Sequence, residues 1–350
     1  MMKHRIYADL GQLPSGCEAL FDEAGKSSFF HTLPWFRNLA ENGLPADTDL
    51  HVYVIGDGSG VKGVLPMRKN GRRLESLSNY YTSLFTPIVE EPVEEPLRVF
   101  AEAVSKGRWE AIDLHPMDAD SSVFRKTHVA LRSAGMIVLP YFCFGNWYLD
   151  VAGRSYQGYY DSLPSKLKNT LKRKSKQLNA MNDASIEIVV DREEVEKGIA
   201  AFEKVYKSSW KVQEPFPDFM PGLIRTCAEN GWLRLGVVHV GGEPVAAQVW
   251  MVKDGIASIY KLAYDERHAK LSAGSILTAR LMEHVIDVDK VHEVDYLTGD
   301  DDYKKDWMSA RRERWGLTAY NSRTFRGLVT GMLNLGWRKY KEARHGRSAP

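Results

Sequence analysis

The stretch Lys270-Leu-Ser-Ala-Gly-Ser-Ile-Leu-Thr-Ala-Arg-Leu-Met-Glu-His-Val-Ile-Asp287 decides the fold. It opens on small residues and passes directly into apolar ones at helical spacing, Ile276, Leu277, Leu281, Val285 and Val288. Before it, Ala257-Ser-Ile-Tyr-Lys-Leu-Ala-Tyr264 alternates as a strand does, and after it Glu293-Val-Asp-Tyr-Leu297 reads as a second, shorter strand. The order is therefore strand, small-residue loop, helix, strand. A helix entered through Ala273-Gly274-Ser275 offers unpaired backbone N–H groups and the positive end of its dipole, which suits a phosphate. The plainer reading of Gly274 is that it lets helix and strand pack closely.

Working upstream, three antiparallel strands are legible: Leu233 to Val240, a Gly241-Gly242 turn, Val245 to Val252, an Asp254-Gly255 turn, and Ile256 to Tyr264. A strand from Ser185 to Val190, a helix through Val195, Ile199, Phe202 and Val205, and a helix over 218–230 precede them; the two helices are joined across Glu214-Pro-Phe-Pro217. Earlier still, Leu163, Leu167, Leu171, Leu178 and Met181 share one helical face, while Lys166, Lys168, Lys172, Arg173, Lys174 and Lys176 make the opposite face basic. That face is suited to an anionic substrate, a polyphosphate or nucleic acid, or it is simply solvated. Downstream, an edge strand is expected near Leu317 to Asn321. A C-terminal amphipathic helix carrying Phe325, Leu328, Val329, Met332, Leu333, Trp337 and Tyr340 follows; Gly327 and Gly331 are spaced like a membrane dimer motif, which in a soluble helix this polar reads as allowing close packing.

The first half alternates as well. A short aromatic helix over 27–43 has Thr32 as its cap and Pro34 in its first turn, and a hairpin turns through Gly56-Asp-Gly-Ser-Gly60. Helix 96–106, strand Ala111 to Leu114, helix 120–134 and strand Ile137 to Phe142 complete an α/β half that ends near Asp150. We therefore expect two domains, 1–150 and 151–350. With 26% charged and 44% hydrophobic residues among 350, the chain is no fibrous or disordered protein, and a formal charge of +2 advertises no nucleic-acid or membrane partner, so any basic patch must be local. The N-terminus has no apolar targeting core and no window is apolar enough to span a membrane, so a cytoplasmic protein is expected. Cys17, Cys143 and Cys227 are far apart, without a C-x-x-C pair; we read them as reduced and at least two as buried, and expect no metal. No nucleophile elbow, P-loop, zinc-protease helix or dinucleotide fingerprint is present.

Three segments taken together resemble one family. Lys166-Leu-Lys-Asn-Thr-Leu-Lys-Arg-Lys174, Tyr264-Asp265 ahead of Ser272-Ala-Gly274, and Val294-Asp-Tyr-Leu-Thr-Gly-Asp-Asp-Asp-Tyr-Lys304 are similar to the FemAB-like and CelD-like acyltransferases of the GNAT superfamily. The resemblance covers about residues 155–325, and the first half only through its general pattern and its Asn79-Tyr-Tyr-Thr loop. It implies a mixed α/β fold of two tandem GNAT-like domains with the acceptor cleft between them. The chain departs from the family in having Ala273 where proline is usual. It also keeps only Lys270, Ala273 and Ser275 of the wider pyrophosphate pattern.

The chemistry implied is attack of an amine on an acyl thioester, which requires oxyanion donors, a base and an acid. By the resemblance, the backbone near Tyr260, Lys261 and Leu262 supplies the oxyanion donor. Ala273, Gly274 and Ser275 take the pyrophosphate of an acyl-CoA co-substrate, helped by Arg267 and Lys270. Asp295 is the base candidate, Tyr303 the acid candidate, and Lys304 a cation for phosphate or oxyanion. Gly299 permits a turn that carries Asp300 and Tyr303 toward the cleft; Tyr80, Tyr81, His115 and Asp265 are placed with the acceptor. The acceptor is expected to be a small-molecule or glycan-precursor amine: an amino sugar, an amino acid or a cell-envelope precursor. Aminoacyl-tRNA is the alternative donor, opposed by the near-neutral charge and by the lack of a helical-hairpin insertion between 210 and 240. A different class of reading is a non-catalytic glycan-precursor binding module using Trp210, Trp232, Trp250 and Trp307. The acceptor, the acyl length and the oligomeric state are not legible.

Overall fold

A computed structural model of the chain describes residues 2–345. The first elements are β1 (Lys3–Tyr7), α1 (Gly16–Gly25), α2 (Leu33–Asn42), β2 (Val52–Asp57), β3 (Gly60–Leu65), β4 (Met67–Asn70), β5 (Arg73–Ser76), β6 (Ile88–Val89), α3 (Glu94–Lys106), β7 (Ala111–Asp118), α4 (Ser122–Ser133) and β8 (Met136–Asp150). Then come α5 (Tyr156–Ser162), α6 (Ser165–Asn179), β9 (Ala184–Val189), α7 (Val195–Lys207), α8 (Phe219–Glu229), β10 (Leu233–Val240), β11 (Glu243–Lys253), β12 (Ile256–Tyr264), α9 (Ala273–Asp287), β13 (Glu293–Thr298), β14 (Ala310–Asn321) and α10 (Phe325–His345). No helix among the described residues is long and apolar enough to cross a membrane.

Contacts divide the chain into two compact units, one of residues 145–312 and the other of the chain up to 144 together with the chain from 313 onward. Sequence order places 313–350 with the second half. The difference has a simple cause: β14 pairs antiparallel with β7, Trp315 opposite Met117 and Tyr320 opposite Ala111, so backbone hydrogen bonds tie the C-terminal segment to the first unit. The strand expected at an edge near Leu317 to Asn321 is also longer and internal, with β7 on one side and β8 on the other.

In the first unit, β1, β2, β3 and β6 form an antiparallel sheet. A second set runs β4, β5, β7, β14, with β5 and β7 parallel. The aromatic stretch near residue 30 does form a helix behind Thr32, whose hydroxyl accepts from the Trp35 N–H. Trp35 and Phe36 of this helix join Phe21, Phe30, Phe85 and Phe100 in the core, all six fully buried. Cys17 is buried there, as Cys227 is in the second unit.

The second unit is built on the sheet order β8, β13, β12, β11, β10, β9. The meander β10–β11–β12 is the one read from the turns, and β9 pairs with β10. Adjacent residues of β10 separate the helices onto the two faces, because side chains alternate along a strand. A Cβ on Gly236 would meet Leu277 and Leu281 of α9, whereas a Cβ on Gly198 of α7 would meet Leu235. Thus α9 covers one face and α7 the other. Ile276, Leu277, Leu281, Met282, Val285 and Ile286 of α9 are all buried, each contributing about 1.5–3 kcal/mol of burial free energy. The apolar stripe of α6 supplies Leu171 and Leu178 to the same core.

Candidate active site

Strands β12 and β13 pair in parallel only over Ile256–Ser258 and Glu293–Asp295. Beyond Ser258 and Asp295 the pairing ends, so the edges of Ile259–Tyr264 and Tyr296–Thr298 are not joined to one another. Within the unpaired part, Val249 faces Lys261 and Trp250 faces Ile259, which makes Tyr260 the extra residue of a β-bulge. The segment expected to supply the oxyanion donor is thus an irregularity beside a strand that separates from its neighbour.

The chain then turns through Asp265 into a 3-10 segment, Glu266–Leu271, and enters α9 at Ser272, whose φ of 56° is left-handed. The first backbone bond back into the helix is Ile276 N–H to Ser272 C=O. The N–H groups of Ala273, Gly274 and Ser275 lie ahead of it and have no acceptor among the described residues. A Cβ added at Gly274 would approach Tyr264 no closer than 3.5 Å, an ordinary contact, so packing does not require glycine there. The basic helix comes to this loop: Lys174 Nζ donates to the Lys270 carbonyl. On the same helix Lys168 bonds the Asp161 carbonyl, while Lys166, Lys172, Arg173 and Lys176 have no side-chain partner among the described residues. Arg267 is held bidentate by Asp265, a buried carboxylate that also accepts from the Arg267 N–H and caps the turn.

At the far side of the opening, β13 ends in an irregular turn held by two buried charges. Tyr148 faces Asp295 but Asn146 faces Thr298, so β13 bulges at Tyr296 and Leu297, and Leu297 has a φ of 55°. Asp295 Oδ1 accepts from the Leu297 N–H at 2.7 Å and from Asn146 Nδ2 at 2.6 Å, and Oδ2 accepts from Arg312 at 2.5 Å. Arg312 also bonds Glu293 and Asn146 and stacks 4.4 Å over the Tyr148 ring. The carboxylate expected as the base therefore holds the bulge in shape. Lys304, 4% exposed, donates to the carbonyls of Thr298 at 2.6 Å and Gly299 at 3.3 Å, and Asp301 lies at 3.4 Å. Burial pulls its pKa down against the acids around it. Gly299 has a φ of 108°, a conformation that favours glycine. Asp300 is taken up by Arg311 and by the Trp147 N–H. Tyr303 is half-exposed, its ring edge-on to buried Tyr296, and burial raises its pKa.

Two residues to which the sequence assigned no role, Lys211 and Glu214, lie on the segment after α7, beside Trp210. The ring of Trp210 lies 4.5 Å from that of Tyr264, tilted by 44°. Lys211 lies near the Tyr206 and Trp210 rings, 6.0 and 5.8 Å from their centroids. Glu214 accepts from Lys261 at 2.7 Å and from the Tyr206 hydroxyl at 2.6 Å. Burial first, and then the neighbouring Lys261, lower the Lys211 pKa to about 8; Glu214, Lys304 and Asp301 are within electrostatic range. A cluster of Lys211, Lys261, Lys304, Glu214 and Asp301 thus gathers β12, the β13 turn and this segment into one polar group. The only sequence signal for it is the density of Tyr, Trp and Lys over 206–211.

Tyr80, Tyr81 and His115 belong to the first unit. Tyr81 is 2% exposed, a core ring unable to meet a dissolved acceptor, while Tyr80 is exposed beside it. Of the four tryptophans of the binding-module reading, Trp250 and Trp307 are buried in the second unit's core, while Trp210 is exposed and Trp232 half-buried.

The pattern of the Acetyltransferase (GNAT) domain family matches residues 165–305, which span the basic helix, the meander, α9 and the β13 turn. No curated protein matches the sequence. Among solved structures, FemX aligns at a TM-score of 0.61 with 10% identity, over 89% of this chain and 96% of its own. The C-terminal domain of a putative lysylphosphatidylglycerol synthetase from Agrobacterium fabrum aligns at 0.55 with 14% identity, over 84% of this chain and 90% of its own. L-PGS from Bacillus licheniformis aligns at 0.53 with 15% identity, over 92% and 95%. At these identities the structures speak for the fold, which is the mixed α/β fold of two GNAT-like units. With them, the domain match places an acetyltransferase domain of the GNAT family over residues 165–305.

Proposed function

We propose that the protein is an N-acyltransferase that takes its acyl group from an acyl-CoA thioester and passes it to an amine acceptor. On this reading it acts in the cytoplasm on an amino sugar, amino acid or envelope precursor. The observation that carries it is the separation of β12 from β13 beside the open N–H groups of Ala273, Gly274 and Ser275. A pyrophosphate on those donors gains the helix dipole, worth about 0.3–1 kcal/mol, together with charge-assisted hydrogen bonds. The Tyr260 bulge is suited to holding the thioester carbonyl. Lys211, its amine partly neutral near pH 8, is the residue best fitted to accept the acceptor's ammonium proton. Tyr303 is suited to protonating the leaving thiolate, and Lys304 and Asp295 to fixing the turn that presents it. Incubation of the protein with acetyl-CoA and longer acyl-CoAs, with release of free thiol followed, tests the reading. No thiol release with any chain length and any amine sinks it.

A second reading, an aminoacyl-tRNA donor, is favoured by one observation: the unpartnered cations of α6 stand beside the same loop through Lys174. The likeness in fold to the C-terminal domain of a putative lysylphosphatidylglycerol synthetase is compatible with an aminoacyl donor. It requires steeply salt-dependent tRNA binding that disappears when Lys172, Arg173 and Lys174 become Glu.

A further inference from the structure

Helix α10 turns its apolar face the wrong way for a core helix. Phe325, Leu328, Val329, Met332, Leu333, Trp337 and Tyr340 are all exposed, Phe325 by 82% and Leu333 by 69%. What the helix packs on the first unit is its glycine face. A Cβ on Gly327 would meet the Glu110 carbonyl at 2.6 Å, and one on Gly331 would meet Tyr320 at 2.8 Å and Ile137 at 2.9 Å. Arg338, on the same side, donates to the Pro140 carbonyl. At 100° per residue these three positions share one side, and the seven large apolar residues spread over roughly half the circumference opposite it. Seven contiguous large apolar side chains are more than a soluble surface leaves uncovered without a partner.

The charge around that face chooses the partner. Lys341 borders the apolar arc, while Lys339, Arg344 and Arg326, the last paired with Glu110, fall within its span, and Glu342 is the single acid between Phe325 and His345. The Lys341 ammonium lies 5.4 Å over the Trp337 ring. Just before the helix, Arg323 and Thr324 border an open cavity of about 930 Å³ whose lining includes Lys69, Arg72, Lys106, Arg108 and His51 and no Asp or Glu. The side chains of Arg108 and Arg323 have no hydrogen-bond or ion-pair partner among the described residues. A second copy laid on this face would bring two basic helices together, and a half-circumference arc is broader than the narrow stripe of a helix pair. An anionic planar interface satisfies both the width and the charge. We propose that α10 docks the first unit onto the surface of a bilayer rich in anionic phospholipid, lying in the interface without crossing it. The inference is independent of the acyl-transfer reading.

The test is flotation of the full chain with phosphatidylcholine vesicles, neutral or containing about one-third phosphatidylglycerol. The expected result is co-flotation with the anionic vesicles that weakens in high salt and on neutral vesicles. The double variant Leu333→Glu/Trp337→Glu loses it, and Lys339→Glu/Lys341→Glu lowers partitioning by about tenfold or more. Because these side chains are exposed, both variants keep the wild-type melting midpoint. The proposal is overturned if the chain stays with the soluble fraction at low salt, or if Leu333→Glu/Trp337→Glu floats like wild type. It is equally overturned if light scattering finds a dimer that this variant dissociates, since a second copy then covers the face.

Discussion

Replacing Arg312 by methionine keeps most of the side-chain volume and removes one charge that several groups share. The guanidinium bonds Asp295, Glu293 and Asn146 and stacks on Tyr148. Without it two carboxylates are left side by side, Asp295 at 9% side-chain exposure and Glu293 at 18%. Deleting one partner of a fully buried ion pair costs about 3–5 kcal/mol. Arg312 is itself 25% exposed, so water screens part of this, and the loss is placed at about 2–4 kcal/mol. In a unit of this size that lowers the melting midpoint by roughly 5–15 °C. Thermal unfolding followed by circular dichroism measures it, and a cycle adding Glu293→Gln and Asp295→Asn isolates the cause. Neutralising both acids in the Arg312→Met background should restore more than half of the loss, because the penalty is the unpaired charge and not the missing contact. A midpoint within about 2 °C of wild type for Arg312→Met, or a further fall on neutralising the acids, refutes the reasoning.

Three further outcomes follow from the same site. If Lys211 is the base, the transfer rate rises with pH through about 8, where its amine becomes neutral well below the ordinary lysine value of 10.5. Lys211→Met should flatten that rise and lower the rate roughly 10²–10⁴-fold; a retained inflection removes Lys211 from the role. The sign for stability is the same: between about 8 and 10.5 the unfolded chain holds the proton and the folded one does not, so stability climbs with pH across that window and loses the climb in Lys211→Met. Lys304→Met leaves the Thr298 and Gly299 carbonyls without their buried donor, an expected loss of about 1–3 kcal/mol by urea titration; an unchanged midpoint contradicts the clamp.

Much of the second unit was legible because its signals are local. The Gly241-Gly242 and Asp254-Gly255 turns set the meander, and the period of Ile276, Leu277, Leu281 and Val285 set α9. The Asp295 bulge was not, since Asn146 and Arg312 meet across 166 residues of sequence. Nor was the Lys211 cluster, which lies on a segment without periodicity and depends on Lys261 from a distant strand. The case of α10 is different in kind. Its stripe was plain in the sequence, but a stripe does not say which side a helix buries. Gly327 and Gly331 allow such close approach that the helix sits on its smallest residues and leaves the large ones outside.

The claim that an acyl-CoA thioester occupies the opening beside Ala273, Gly274 and Ser275 is tested most directly by native mass spectrometry of the purified full chain, before and after adding acetyl-CoA and a long-chain acyl-CoA. The account predicts a single saturable adduct with the mass of the thioester on the wild type. It predicts loss of that adduct in Gly274→Trp, whose ring covers the free N–H groups, and its retention in Gly274→Ala, for which there is room beside Tyr264. No adduct with any acyl-CoA, or equal binding by Gly274→Trp, contradicts it.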